Sequence, residues 1–235
     1  MARSRQAVVF ALLSGAALLA RSTCLHATEV SAHLAIDRAA SAKHKPSEIP
    51  SAVIWLKPLR EDPSRVVAPG RFTLVQKNKT FTPHLLVIPL GSSVAFPNTD
   101  PFFHNVFSLF DGRRFDLGLY EAGSTRSVVF SREGVSYIFC NIHSEMSAVV
   151  ITLSTPLYSI ASQGEFRITG VPDGDYDLHI WIEGQRQTAL DKQTRRIHVA
   201  GENVDLGEIL SDQPEREAHH NKFDRPYDAD THPIY

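Results

Sequence analysis

Residues 139–146 read Phe139-Cys140-Asn141-Ile142-His143-Ser144-Glu145-Met146, a Cys-x2-His-x2-Met cluster between two β-rich runs, Val135–Cys140 and Ala148–Leu153. Thirty-six positions before Cys140, His104 lies within Asp100-Pro101-Phe102-Phe103-His104-Asn105-Val106-Phe107. One imidazole from an earlier strand end can therefore join a thiol, an imidazole and a thioether from a later loop. The chain has only two methionines, one of them the first residue, and only two cysteines. A scarce sulfur residue of each kind thus sits three positions from His143 on either side.

Short β-rich runs continue on both sides of this cluster, and helical periodicity is almost absent. Strands are expected near Val30–Ile36, Ala52–Leu56, Phe72–Gln76, His84–Pro89, Ser93–Pro97, Asn105–Ser108 and Ser127–Ser131, besides the two that flank the cluster. A second series covers Glu165–Thr169, Tyr176–Glu183, Arg195–Val199 and Asn203–Ile209. Strands about ten residues apart, with Gly, Pro, Asn and Asp at the joints, indicate an all-β sandwich or barrel. Residues 37–50 and 57–70 are polar and read as a loop and a linker, and 211–235 as a mobile tail.

Composition narrows the function classes. With 235 residues, 43% of them apolar, and 13 Gly and 14 Pro, the chain is an ordinary globular one, neither collagen-like nor low-complexity. A formal charge of −2 leaves no basic excess to neutralise phosphates, so no nucleic-acid partner is expected. The sequence contains no Walker loop, dinucleotide fingerprint or His-Glu-x-x-His motif.

Residues 1–27 read as a signal peptide: Arg3 and Arg5 precede an apolar run over 7–20, which is too short to span a bilayer. The expectations are a periplasmic or secreted protein with no stable membrane span, and cleavage after Ala27, with Ala20 as the alternative. Cleavage after Ala27 leaves 21 basic against 26 acidic residues, a formal charge of −5. It also removes Cys24, so Cys140 has no internal disulfide partner. A lone thiol in an oxidising compartment is vulnerable unless something holds it, which points to a ligand role.

Two imidazoles, one thiolate and one thioether suit copper, because soft sulfur holds the reduced ion and imidazole serves both oxidation states. Two His and a Cys in a roughly trigonal plane with a weak axial Met form the blue-copper arrangement. Two alternatives stand beside it: a zinc or other N/S metal site, although zinc rarely takes Met, and a fold that holds no metal.

Residues 70–155 resemble the cupredoxins, most closely those of amicyanin and plastocyanin type. The features that carry the resemblance are Phe81-x-Pro83, Gly91-x-x-Val94-x-Phe96-x-Asn98, His104-Asn105-Val106 and the Cys140–Met146 loop, which is amicyanin-like in length. The resemblance implies one type-1 copper ion held by His104, Cys140, His143 and Met146, with Asn105 tying the His104 strand to the Cys loop by hydrogen bonding. Glu145 departs from the apolar residue often found in such loops; a carboxylate there should favour the oxidised ion or meet a basic partner. Phe103 and Glu145 are candidate partner-docking residues, and Phe102, Phe107 and Phe110 divide between an apolar rim and the core. His84 reads as a packing or surface residue, and His219, His220 and His232 as part of a solvated tail that could capture copper loosely.

Residues 156–210 contain Gly164-Glu165-Phe166-Arg167-Ile168 and Val171-Pro172-Asp173-Gly174-Asp175-Tyr176-Asp177-Leu178. This resembles the carboxypeptidase regulatory-like, transthyretin-type β-sandwich. So short a segment is small for seven strands, so residues 28–62 are expected to supply its first strands, with the cupredoxin-like segment inserted between. Asp173, Asp175 and Asp177 read as turn and strand-edge acids, and Tyr176 and Trp181 as core. The function expected is one-electron carriage by copper between redox partner proteins, with no enzyme activity. Copper delivery or storage and a metal-free interaction module are the alternatives.

Overall fold

The computed structural model describes residues 28–36, 49–60, 67–109, 112–211, 221–223, 225 and 227. The expected signal peptide, the loop at 37–48, Phe110, His219, His220 and His232 lie outside the described residues.

The first strands are β1 (Glu29–Ile36) and β2 (Ala52–Pro58). A central run follows: β3 (Arg71–Thr73), β4 (Val75–Lys77), β5 (Thr80–Thr82), β6 (Leu85–Pro89), β7 (Ser93–Pro97), β8 (His104–Ser108), β9 (Phe115–Tyr120), β10 (Thr125–Val129), β11 (Gly134–Phe139) and β12 (Ser147–Leu153). The last group is β13 (Tyr158–Ile160), β14 (Glu165–Thr169), β15 (Gly174–Ile182), a one-turn helix α1 (Gln187–Asp191), β16 (Arg195–Val199) and β17 (Val204–Ser211). The chain is all-β. Among the described residues no helix is long and apolar enough to cross a membrane.

The central run forms two facing sheets, β6-β12-β11-β8-β9 and β10-β7-β3, with the β4-β5 ribbon beside them. The first and last groups form two more, β14-β1-β17 and β13-β2-β15-β16. β1 pairs antiparallel with β14 and parallel with β17, while β2 lies between β13 and β15. The N-terminal strands therefore complete a sandwich with residues 158–211, and residues 71–153 are inserted between its halves.

Strand alternation shows how the two sandwiches meet. In β12, Ala148 and Val150 point into the central core with Val94, Phe96, Val106, Phe130 and Ile138. Val149, Ile151 and Leu153 point the other way and join the flanking core, as do Val87 of β6 and Val135 and Tyr137 of β11. In β15, Leu178 and Ile180 face the β14-β1-β17 sheet, whereas Trp181 turns toward the central unit, where its Nε1–H donates to the Tyr137 hydroxyl at 3.1 Å. The β6-β12-β11 wall is thus buried on both faces, which explains why β12 is apolar from Ala148 to Leu153 except at Thr152. Lys57–Glu133 and His84–Glu183, each at 2.8 Å, rim this contact. His84 is thereby a surface residue, and Tyr176 and Trp181 are core, at 4% and 1% exposure.

Some elements differ from the sequence expectation. The single strand expected over Phe72–Gln76 breaks at Leu74, whose N–H bonds Ala95 O while β3 pairs with β7 and β4 with β5. β5, β9, β13 and α1 were not expected. β5 and β13 are only three residues long, and β9 carries Gly118 at φ +67° opposite a register shift, so its alternation is irregular. Lys57 and Pro58, expected in a linker, extend β2 against Asp177 and Tyr176.

Trp181→Ala should destabilise the protein by about 3–5 kcal/mol, because it removes a fully buried indole from the contact between the sandwiches. Urea unfolding measures this; a loss under about 1 kcal/mol would show that the contact does not depend on the indole.

Candidate metal centre

His104 opens β8, a strand buried along its whole length, and Cys140 directly follows β11. The two strands are neighbours, with Phe107 opposite Phe139, so His104 and Cys140 are brought to one end of the same sheet. The loop then turns back on itself: the Met146 N–H donates to His143 O and the Cys140 N–H to Met146 O, both at 3.1 Å. This places His143 above the sheet end and returns Met146, fully buried, to the core that holds Cys140.

The Cys140 sulfur lies 3.8 Å from Nδ1 of His104 and 3.5 Å from Nδ1 of His143. The three potential ligand atoms all lie within 4.8 Å of one another. First-row ions bind thiolate at about 2.3 Å and imidazole at about 2.0–2.1 Å, so trigonal ligands would stand about 3.8 Å apart and tetrahedral ones about 3.5 Å. The two sulfur–nitrogen distances match an ion of that size. Soft sulfur with two imidazoles is also a donor set suited to copper. The backbone N–H groups of Asn105, Ile142 and His143 point at the sulfur and favour its thiolate, but burial outweighs them and raises the thiol above its ordinary value.

His104 is fully buried and donates from Nε2 to Asp100 Oδ2 at 2.8 Å. That bond puts its proton on Nε2 and leaves the Nδ1 lone pair toward the sulfur. Asp100 also accepts the N–H groups of Asn78 at 2.6 Å and Lys79 at 2.9 Å. Burial works against the charged form of Asp100, but these donors hold its carboxyl below the usual value. Sequence reasoning passed over Asp100, because Asn98-Thr99-Asp100-Pro101 looks like ordinary turn chemistry. Its one sequence signal is its position four residues before His104.

Asn105 reaches the Cys loop through its backbone N–H, which points at the Cys140 sulfur. Its side chain turns away from the Cys loop and donates to Asp116 Oδ1 at 2.7 Å, across the β8–β9 pair. Asn105 Oδ1 is buried without a hydrogen-bond partner among the described residues. The link to the Cys loop comes from the backbone N–H of Asn105 and not from its amide group. The described residues of the C-terminal segment are also docked here. Lys222 N–H donates to Asn141 Oδ1 at 3.0 Å, Lys222 Nζ pairs with Asp116 at 2.8 Å, and the Tyr227 hydroxyl donates to Cys140 O at 2.7 Å.

The phenylalanines divide by position. Phe107 is core at 1% exposure, whereas Phe103 is 42% exposed. Phe102 packs edge-on against His104, ring centroids 5.2 Å apart, and against His143 at 5.7 Å, with Lys79 Nζ over its face. Glu145 is exposed on the loop. In the flanking sandwich Asp173 accepts Gly201 N–H at the turn before β15, as expected, whereas Asp175, paired with His198, and Asp177, paired with Arg196, lie within β15, an interior strand.

No family model and no curated protein matches the chain. Among solved structures, a purple cupredoxin from Nitrosopumilus maritimus is 25% identical over 34% of this chain and 98% of its own, with a TM-score of 0.32. A methionine-to-leucine mutant of amicyanin, in its oxidized form, is 15% identical over 35% of this chain and 81% of its own, with a TM-score of 0.33. A copper-containing nitrite reductase from Thermus scotoductus is 21% identical over 41% of this chain and 25% of its own, with a TM-score of 0.35.

Burial, with the neighbouring His104 next in weight, lowers His143 from 6.5 to about 4. Between these values the unfolded chain binds a proton at this ring that the folded chain does not, so the metal-free protein should lose stability as pH falls through that window. Thermal unfolding of metal-free protein across that range checks this. His143→Gln should flatten part of the slope, and an unchanged slope would refute the assignment.

Proposed function

We propose that this protein is a type-1 copper protein of cupredoxin kind that carries single electrons between redox partner proteins. His104, Cys140 and His143 would be its strong ligands and Met146 its weak axial one. The observation that carries this reading is the Cys140 sulfur set against Nδ1 of two imidazoles, at 3.8 Å for the ring on the β8 strand and 3.5 Å for the ring on the loop after β11. Burial of Met146 in the same core as Cys140 favours copper over zinc, which rarely takes a thioether.

Bound copper supplies one-electron chemistry, and the side chains set the conditions for it. Three backbone N–H groups steady the Cys140 thiolate, and Asp100 fixes the His104 ring. Phe102 packs against both imidazoles and screens them from water. His143 is half-buried and is the imidazole nearer solvent, which suits it to pass electrons to a partner, with Phe103 and Glu145 exposed nearby in sequence for docking. Complete burial of His104 and Cys140 favours a carrier over a delivery protein, because handing over a metal requires ligands a recipient can reach. The reading assigns no substrate chemistry. Export to the periplasm or beyond rests on residues 1–27, and the flanking sandwich is proposed as a transthyretin-type module on its Gly164–Ile168 and Val171–Leu178 motifs.

Adding Cu(II) to the metal-free protein should give an intense visible absorption that saturates at one ion per chain. Cys140→Ala should abolish the colour. A wild-type protein that stays colourless and binds no copper would overturn the proposal.

A further inference from the structure

Asp100 is held more tightly than any turn acid needs to be. Its side chain is 5% exposed, and it accepts from Asn78 N, Lys79 N and His104 Nε2 at 2.6, 2.9 and 2.8 Å. Its own N–H donates to Asn98 Oδ1 at 3.1 Å, and the Asn98 amide in turn donates to Phe102 O and Tyr120 O. The turn between β4 and β5 puts both Asn78 and Lys79 in the left-handed region, at φ +55° and +56°, which is costly for a lysine. That conformation aims two successive N–H groups at one carboxylate, the geometry of an anion nest. A neutral amide in this place would present an NH2 group to at least one of three donors. The pocket is built for a negative charge, and the only side chain that reaches this charge among its described bonds is His104.

We propose that Asp100 is a positioning residue for His104. Its buried carboxylate locks the ring as the Nε2–H tautomer with Nδ1 toward Cys140 and biases the bound ion toward the more highly charged of its two oxidation states. The second half of this statement rests on the copper reading above; the first does not. A fixed negative charge one imidazole away stabilises Cu(II) more than Cu(I), and a carboxylate partner makes the imidazole a stronger donor.

Two measurements test it. In metal-free wild-type protein, nitrogen NMR of the imidazoles should show His104 as a single tautomer protonated at Nε2. A ring protonated at Nδ1, or a mixture, would overturn the proposal, and this needs neither copper nor a variant. In copper-loaded protein, Asp100→Asn should keep the visible band but lower the ratio of Cu(II) to Cu(I) affinity at least tenfold, a rise in potential of about 59 mV or more for a one-electron couple. Asp100→Ala should raise it similarly, and serves if the asparagine variant does not fold. An unchanged potential in a folded, copper-loaded variant would overturn the bias toward Cu(II). Failure of the wild type to bind copper would instead remove the copper reading and leave the tautomer measurement standing.

Discussion

Burial of the β6-β12-β11 wall on both faces is the constraint from which the rest of the architecture follows. Each residue of β12 from Ala148 to Leu153 is buried, with Ala148 and Val150 in one core and Val149, Ile151 and Leu153 in the other. Full burial of one such aliphatic side chain stabilises by about 1.5–3 kcal/mol, so neither sandwich could be peeled from the wall without losing several such terms. The polar links at its rim, Lys57–Glu133 and His84–Glu183, are exposed pairs worth little by themselves, and they fix orientation more than stability. The wall also carries β11, and so determines where Cys140 emerges.

The two imidazoles at that end are held very differently. His104 belongs to a strand, is fully buried and is tied to a carboxylate that is itself tied to two further backbone groups. His143 belongs to a short loop, is half-buried, and is lined by Phe102. One ring is therefore a fixed point and the other lies nearer solvent. Lys222 and Tyr227 brace the loop from the side through Asn141 and the Cys140 carbonyl.

The sequence made the all-β character and the Cys-His-Met cluster legible, because both reside in local pattern: period-two alternation in one case, and two scarce residue types at short spacing around a histidine in the other. Strand ends were readable to within a few residues wherever alternation was clean, as in β7 and β14. β9 was not, because a left-handed glycine and a register shift interrupt its pattern. Asp100 was missed for a different reason. Its role depends on N–H groups from a hairpin some twenty residues earlier, and nothing in a turn-forming tetrapeptide reveals which donors will converge on it. The partner of the Asn105 side chain was not readable for the same cause: Asp116 lies across a strand pair that the sequence did not disclose. Contacts from Lys222 and Tyr227 span 81 and 87 positions and carry no local signature at all.

The insertion of one sandwich into another has a consequence for biosynthesis. β1 emerges early, yet its partner β17 follows far later, with Val30 opposite Val204. At roughly 5–20 residues per second, the ribosome needs on the order of 10–30 s to supply that partner. Until its other partner β14 is supplied, late in this interval, Val30, Ala32 and Leu34 have no sheet to join, while the inserted unit, contiguous in the chain, can already collapse around its own core. The nascent polypeptide therefore matures from its middle outward, and its earliest strand is the one most in need of a chaperone.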